Sequence, residues 1–156
     1  MKHFKAVPHE SRFTLFAIAV AVFCLVLQGC SSKEVNYTPP VGSTVTAITH
    51  FSFSKMVVDG KEYTDTDVAI GPDGKARAWH VGHSVDVAGV EGLLGGDPHT
   101  MIIGIGVSSQ ASPTPGLLKT LRDKGIDVHI LDTPGAVTLF NRLPKQDLVA
   151  VFHTGC

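Results

Sequence analysis

Apolar residues change their spacing several times along the 156-residue chain, and each change marks an element. A dense apolar run from Leu15 to Leu27 follows three basic residues, Lys2, Lys5 and Arg12, and stops at Leu27-Gln28-Gly29-Cys30. The next stretch, 31–44, is polar, carries Pro39-Pro40 and has neither helical nor strand period, so it reads as a tether. A folded domain is expected from Val45 onward. There, β-branched and aromatic residues run from Ile48 to Val58, followed by Asp59-Gly60 and Lys61-Glu62-Tyr63. Asp-Gly supplies the positive φ that a tight hairpin turn requires, which predicts a first hairpin. Val68 to Ile70 and Lys75 to Trp79 flank Gly71-Pro72-Asp73-Gly74 and predict a second.

The second half of the chain has a different period. Ser84 or Asp86 can cap a short helix through Val87, Val90, Leu93 and Leu94, with Gly95-Gly96 as its stop. Met101 to Ile105 is nearly unbroken apolar, as expected for a strand covered on both faces. Ser112-Pro113 opens a helix with apolar positions Leu117, Leu118 and Leu121, closed by Lys124-Gly125. Ile126 to Leu131 is the next strand, Pro134 to Leu143 the next helix and Leu148 to Phe152 the last strand. Strand, helix, strand, helix, strand with short links predicts right-handed crossovers and a parallel core. The expected fold class is α/β, with a parallel βαβαβ C-terminal half and N-terminal β-hairpins in one mixed-sheet domain, 45–156, layered with helices.

The leader has the chemistry of an export signal: a basic start, a short apolar core and a small residue before a cleavage point. Its end resembles the bacterial lipoprotein lipobox, with Leu27 three residues before Cys30 and Gly29 directly before it, although Gln28 is bulkier than usual there. The resemblance implies a signal peptide over 1–29 and lipid attachment at Cys30. Acyl chains buried at ~0.8 kcal/mol per methylene would then hold the protein on a membrane. Ser31-Ser32 after the cysteine favours the periplasmic face of the outer membrane, in the bacterial cell envelope. Two alternatives stay open: an uncleaved helical anchor, with Cys24 packed in the apolar run, and a start codon placed too far upstream.

Removing leader and tether leaves about a hundred residues, enough for one small domain. The leader holds three basic residues and one acidic residue of totals of 13 and 14, so the remainder carries 10 against 13, a formal charge of −3. No basic face recruits nucleic acid, because Arg77, Lys119, Arg122, Lys124, Arg142 and Lys145 are spread among acids. Acylation of Cys30 would leave Cys156 as the only thiol of the body, which excludes an internal disulfide.

A family resemblance rests on several segments in order: Phe53 through Val58-Asp59-Gly60-Lys61-Glu62-Tyr63; Trp79; Ile102-Ile103-Gly104-Ile105-Gly106; Arg122 with Gly125-Ile126-Asp127-Val128; Thr133 with Ala136-Val137 and Asn141; and the ending His153-Thr154-Gly155-Cys156. Together these resemble the Mth938-like (DUF498) family, which includes a mitochondrial complex I assembly factor. The similarity covers nearly the whole body. It implies the α/β fold above and a role as a partner in assembly or regulation, without an established reaction. Ile105 stands where a small polar residue is usual, and Gly155 stands where Thr is usual.

Several residues have the chemistry for a site. Gly104-Ile105-Gly106-Val107-Ser108 follows a strand, where backbone amides can face an anion or small polar ligand. The segment lacks the Lys and third Gly of a phosphate loop, and such glycines more often let a strand pass close to its neighbour. Gly104, Gly106, Ser108, Thr133 and Asn141 are the binding candidates. His153 and Cys156 lie three apart, and a nearby imidazole can lower a thiol pKa enough to make a nucleophile. Ser108, His153 and Cys156 are thus the catalytic candidates, although a terminal His and Cys are more often simply packed. His80, His83 and Asp86 offer metal-ligand chemistry but no fourth ligand at fixed spacing, and they read as loop residues; no metal or cofactor is expected. Asp65 and Asp67 read as a turn and a solvated face, and Trp79, Phe51 and Phe53 as core or pocket wall. Two functions follow: a membrane-anchored, non-enzymatic binding or assembly module with a possible protein partner, or a small-molecule enzyme using Ser108 or Cys156 with His153.

Overall fold

Tight turns and apolar runs set the architecture seen in a computed structural model, which describes residues 33–155. The leader, Cys30 and Cys156 lie outside the described residues. Short strands β1 (Val35–Asn36), β2 (Ile48–Ser52), β3 (Lys55–Val58) and β4 (Lys61–Thr64) form an antiparallel sheet in that order. Asp59 and Gly60, at φ 50° and 78°, make the tight turn between β3 and β4. Strands β5 (Asp67–Ile70) and β6 (Ala76–Trp79) form the second hairpin. Next come β7 (Ser84–Val85), β8 (Thr100–Ile105), β9 (Ser112–Pro113), helix α1 (Pro115–Asp123), β10 (Asp127–Leu131), helix α2 (Thr133–Arg142) and β11 (Leu148–His153).

The larger sheet has the order β10-β8-β11-β5-β6. Its β10, β8 and β11 are parallel, and β5 joins β11 antiparallel. This is the expected α/β class: a parallel βαβαβ half carrying an antiparallel hairpin in one mixed sheet. The central strands β8, β11 and β5 are largely apolar on both faces because both faces are covered. Ile102, Ala150 and Phe152 point toward Ala136, Val137 and Phe140 of α2 and toward Ile48, Phe51 and Met56 of the small sheet. Met101, Ile103, Val149 and Val151 point the other way, into Leu117 and Leu121 of α1 with Val85, Val90 and Leu93. Each helix starts on a side-chain cap: Thr114 accepts from the Leu117 N–H at 3.2 Å, and Asp132 from the Gly135 N–H at 3.0 Å.

Four expectations change in detail. The tether is not structureless throughout, because Val35 and Asn36 pair with Phe51 and His50 and Val35 packs on the core. Two residues are too few to show a strand period. The run Ile48 to Val58 is two strands, since Ser54 turns at φ 58° and its N–H donates to the Thr154 carbonyl at 2.9 Å. The predicted helix over Ser84 to Leu94 does not form. Val85 instead lies in β7 beside Pro113 of β9, Asp86 caps the Gly89 N–H at 2.8 Å, and only Glu91–Leu93 makes a single 3-10 turn. β-branched Val85, Val87 and Val90 and the helix-weakening Gly89 and Gly92 explain this. Finally, α1 starts at Pro115 rather than Ser112-Pro113, because Thr114, held extended by the following proline, is its cap.

Candidate functional site

The C-terminal ends of the parallel strands are where an open sheet of this kind places ligands, and here β11 ends on His153. One residue before β5 Val68, which pairs with Phe152, stands Asp67. His153 Nδ1 lies 2.9 Å from Asp67 Oδ1. The Asp67 carboxylate is only 6% exposed and also accepts the Thr154 N–H at 3.1 Å and the Val81 N–H at 3.0 Å. Three donors converge on it, which offsets the cost of burying the group. Asp67 is therefore not the solvated turn residue that its surroundings in the sequence suggest.

A carboxylate can only accept, so Nδ1 of His153 donates and the opposite ring nitrogen is left as the variable atom. That atom, Nε2, is buried and has no hydrogen-bond partner among the described residues. Buried polar atoms without partners are rare enough in folded proteins that each needs a reason. The His83 ring packs edge-on against the His153 ring, with centroids 5.2 Å apart and planes at 78°. A Cβ added to Gly155 would lie 3.2 Å from Nε2, so glycine keeps this side of the ring clear. Asp67 and His153 line a cavity of ≈ 250 Å³ together with Ser54, Asp65, His80 and Gly82. Larger clefts of ≈ 390 and ≈ 420 Å³ flank the segment between β1 and β2, but neither contains a buried ion pair.

The other candidates are distributed around this point. Thr133 is fully buried; its Oγ1 accepts the Gly106 N–H at 2.9 Å and donates to the His153 carbonyl at 2.6 Å. A Cβ on Gly104 would come within 2.9 Å of that hydroxyl oxygen and 3.1 Å of Phe152, so glycine permits β8 and α2 to approach. Gly106, at φ 96°, turns the chain out of the strand. These three residues commit their polar groups to holding β8, α2 and β11 together. Asn141 clamps α2 to β2, accepting the Ile48 N–H at 2.9 Å and donating to its carbonyl at 2.8 Å. Ser108 is exposed and does not line the His153 cavity.

His80 lines the cavity, whereas Asp86 is spent on its cap. Among the described residues no three His, Cys, Asp or Glu side chains are gathered closely enough to hold a metal ion as they stand. Trp79 is half-buried against the core on the α1 side, its Nε1–H donating to the Gly89 carbonyl at 2.7 Å. Next to Thr133, the Lys33 ammonium bonded to Asp132 at 2.7 Å holds that carboxyl below its usual range, with help from the Gly135 N–H. Asp67 was missed by the sequence reading because its partners are 14, 86 and 87 positions away.

Among the described residues no helix is long and apolar enough to cross a membrane. Solved structures share the fold. A conserved hypothetical protein from Pyrococcus horikoshii OT3 is 26% identical, with a TM-score of 0.64 over 70% of this chain and 98% of that one. An outer membrane protein from Bartonella henselae is 16% identical, with a TM-score of 0.62 over 72% and 97%. A Mth938-like domain of a Bordetella pertussis protein is 15% identical, with a TM-score of 0.58 over 77% and 92%. The model of the family described as protein of unknown function (DUF498/DUF598) matches residues 48–153, and with that match over this sheet and this strand-end site the chain belongs to the DUF498 family.

Proposed function

We propose that this chain is a membrane-anchored binding module of the bacterial envelope, tethered through Cys30, which presents the His153 cavity to a ligand or protein partner in assembly or regulation. One observation carries the reading. Asp67 orients His153 as it would orient a general base, yet Nε2 meets no hydroxyl or thiol among the described residues. Among the described residues, which do not include the candidate Cys156, the oriented base has no nucleophile within about 2.6–3.2 Å, and this favours binding over covalent catalysis. Exposed Ser108 does not line the cavity, which weighs against its pairing with His153. The Leu27-Gln28-Gly29-Cys30 ending supports the anchor, and the fold shared with an outer membrane protein of Bartonella henselae is compatible with an envelope location.

The test uses the full-length chain in a bacterial host, with a photo-crosslinking residue at His80 on the cavity rim or at Lys119 on α1. The reading expects a membrane-fraction adduct from position 80 and none from position 119. It also expects a lipid-sized mass gain and membrane partitioning that disappear in Cys30→Ala. Equal labelling at both positions, or none at 80, would count against the cavity as the binding face. An unmodified full-length mass would remove the lipid anchor.

A further inference from the structure

We infer that the end of the domain carrying Phe53, Gln110 and the His153 cavity lies against the bilayer, so that the anchoring membrane itself is the occupant of this face. The inference rests on the lipid anchor at Cys30 and says which side of the domain that anchor turns toward the membrane. Only three residue steps separate Cys30 from Lys33, a reach of at most about 10–11 Å. From Lys33 onward the chain is held. The Lys33 ammonium lies 2.7 Å from the Asp132 carboxylate, although an exposed pair of this kind contributes little alone. Firmer hold comes from the backbone: Val35 and Asn36 pair with Phe51 and His50, the Tyr37 N–H donates to the Thr49 carbonyl at 3.0 Å, and Val35 packs on the core.

These contacts fix where the leash enters the fold. Asp132 follows the last residue of β10 and caps α2, so the entry point lies at the C-terminal ends of the parallel strands. The turn between β2 and β3 is at the same end, because the Ser54 N–H donates to the carbonyl of Thr154, the residue after β11. That turn holds Phe53, which is 44% exposed, and an exposed aromatic ring suits the boundary between headgroups and acyl chains. The far end carries His99, just before β8, and Val41, in the segment whose Pro40 and Val45 share a cleft with Arg142 at the other end of α2. A domain of about 120 residues is roughly 35 Å across. A leash of about 10 Å therefore cannot turn that far end to the bilayer. Ser54 also lines the His153 cavity, so a ligand or partner that fills the cavity is met beside the membrane.

The test uses the mature protein purified from its bacterial host in a Cys156→Ala background and reconstituted into vesicles of phosphatidylethanolamine and phosphatidylglycerol that carry a headgroup quencher. A fluorophore is placed on one introduced thiol at a time, through Phe53→Cys or Gln110→Cys at the strand-end face and Val41→Cys or His99→Cys at the far end. All four positions are exposed, so labelling leaves the core intact. The expected result is quenching at least threefold stronger at 53 and 110 than at 41 and 99. Equal quenching at both ends, or stronger quenching at 41 and 99, in chains whose mass shows the lipid overturns the inference and leaves the anchor standing. Chains without the lipid mass remove the anchor and the inference with it.

Discussion

Replacing Thr133 by Val should destabilise the domain by about 2–4 kcal/mol, although the side chain keeps its shape. The hydroxyl serves two backbone groups, accepting the buried Gly106 N–H at 2.9 Å and donating to the His153 carbonyl at 2.6 Å. A buried donor left unsatisfied costs about 1–3 kcal/mol, and the carbonyl loses a bond worth about 1 kcal/mol. Valine restores neither, and full burial of the site keeps water from substituting. For a domain of this size that corresponds to a fall in Tm of roughly 10–20 °C. Urea unfolding followed by tryptophan fluorescence reads the loss through Trp79, with Thr133→Ser as the control that keeps the hydroxyl. A loss below about 0.5 kcal/mol, or equal losses in Val and Ser, would refute the idea that this hydroxyl ties β8 to β11.

Three further outcomes follow from the same contacts. Gly104→Ala should cost about 1–3 kcal/mol by overpacking, because its Cβ would press on Thr133, Phe152 and Ala136, none of them a flexible side-chain end; denaturant melts check it. Asn141→Ala removes both bonds to Ile48 and should cost about 1–3 kcal/mol, with hydrogen exchange at the Ile48 amide accelerating more than at the Ile103 amide. Lys33→Ala should remove the main cause that lowers the Asp132 pKa. That contribution to stability is fully present above the ordinary carboxylate range and is lost as pH falls through the lowered folded value. The wild type should therefore exceed the variant at neutral pH and converge with it near pH 2; a gap that persists at about pH 2 would contradict the assignment.

Much of the sheet could be read from local signals. Asp59-Gly60 and Gly71-Pro72-Asp73-Gly74 announce hairpins because tight turns need particular backbone angles, and Met101 to Ile105 announces a buried strand because both faces need apolar cover. The misses share a physical cause. Val85 enters a two-residue pairing with Pro113, and Val35 one with Phe51, and such short pairings leave no period to detect. His153 was identifiable as a candidate, but Asp67, 86 positions away, was hidden in a Thr-Asp-Thr-Asp run that looks like a turn. Thr133 and Asn141 stand out in the sequence as binding candidates, but their hydroxyl and amide groups bond to backbone at the ends of β8 and β11 and on β2. Which polar residues point inward is decided by strand register, and register is not written locally.

The most direct test is the tautomer of His153, read by nitrogen-detected NMR of the imidazole rings in full-length protein above the histidine titration range. Nδ1 is expected to carry the proton that is shared with Asp67, and Nε2 to be a bare acceptor whose signal moves when the cavity is filled. A proton on Nε2, or an Nε2 signal unchanged by any addition that shifts His80, would contradict this assignment.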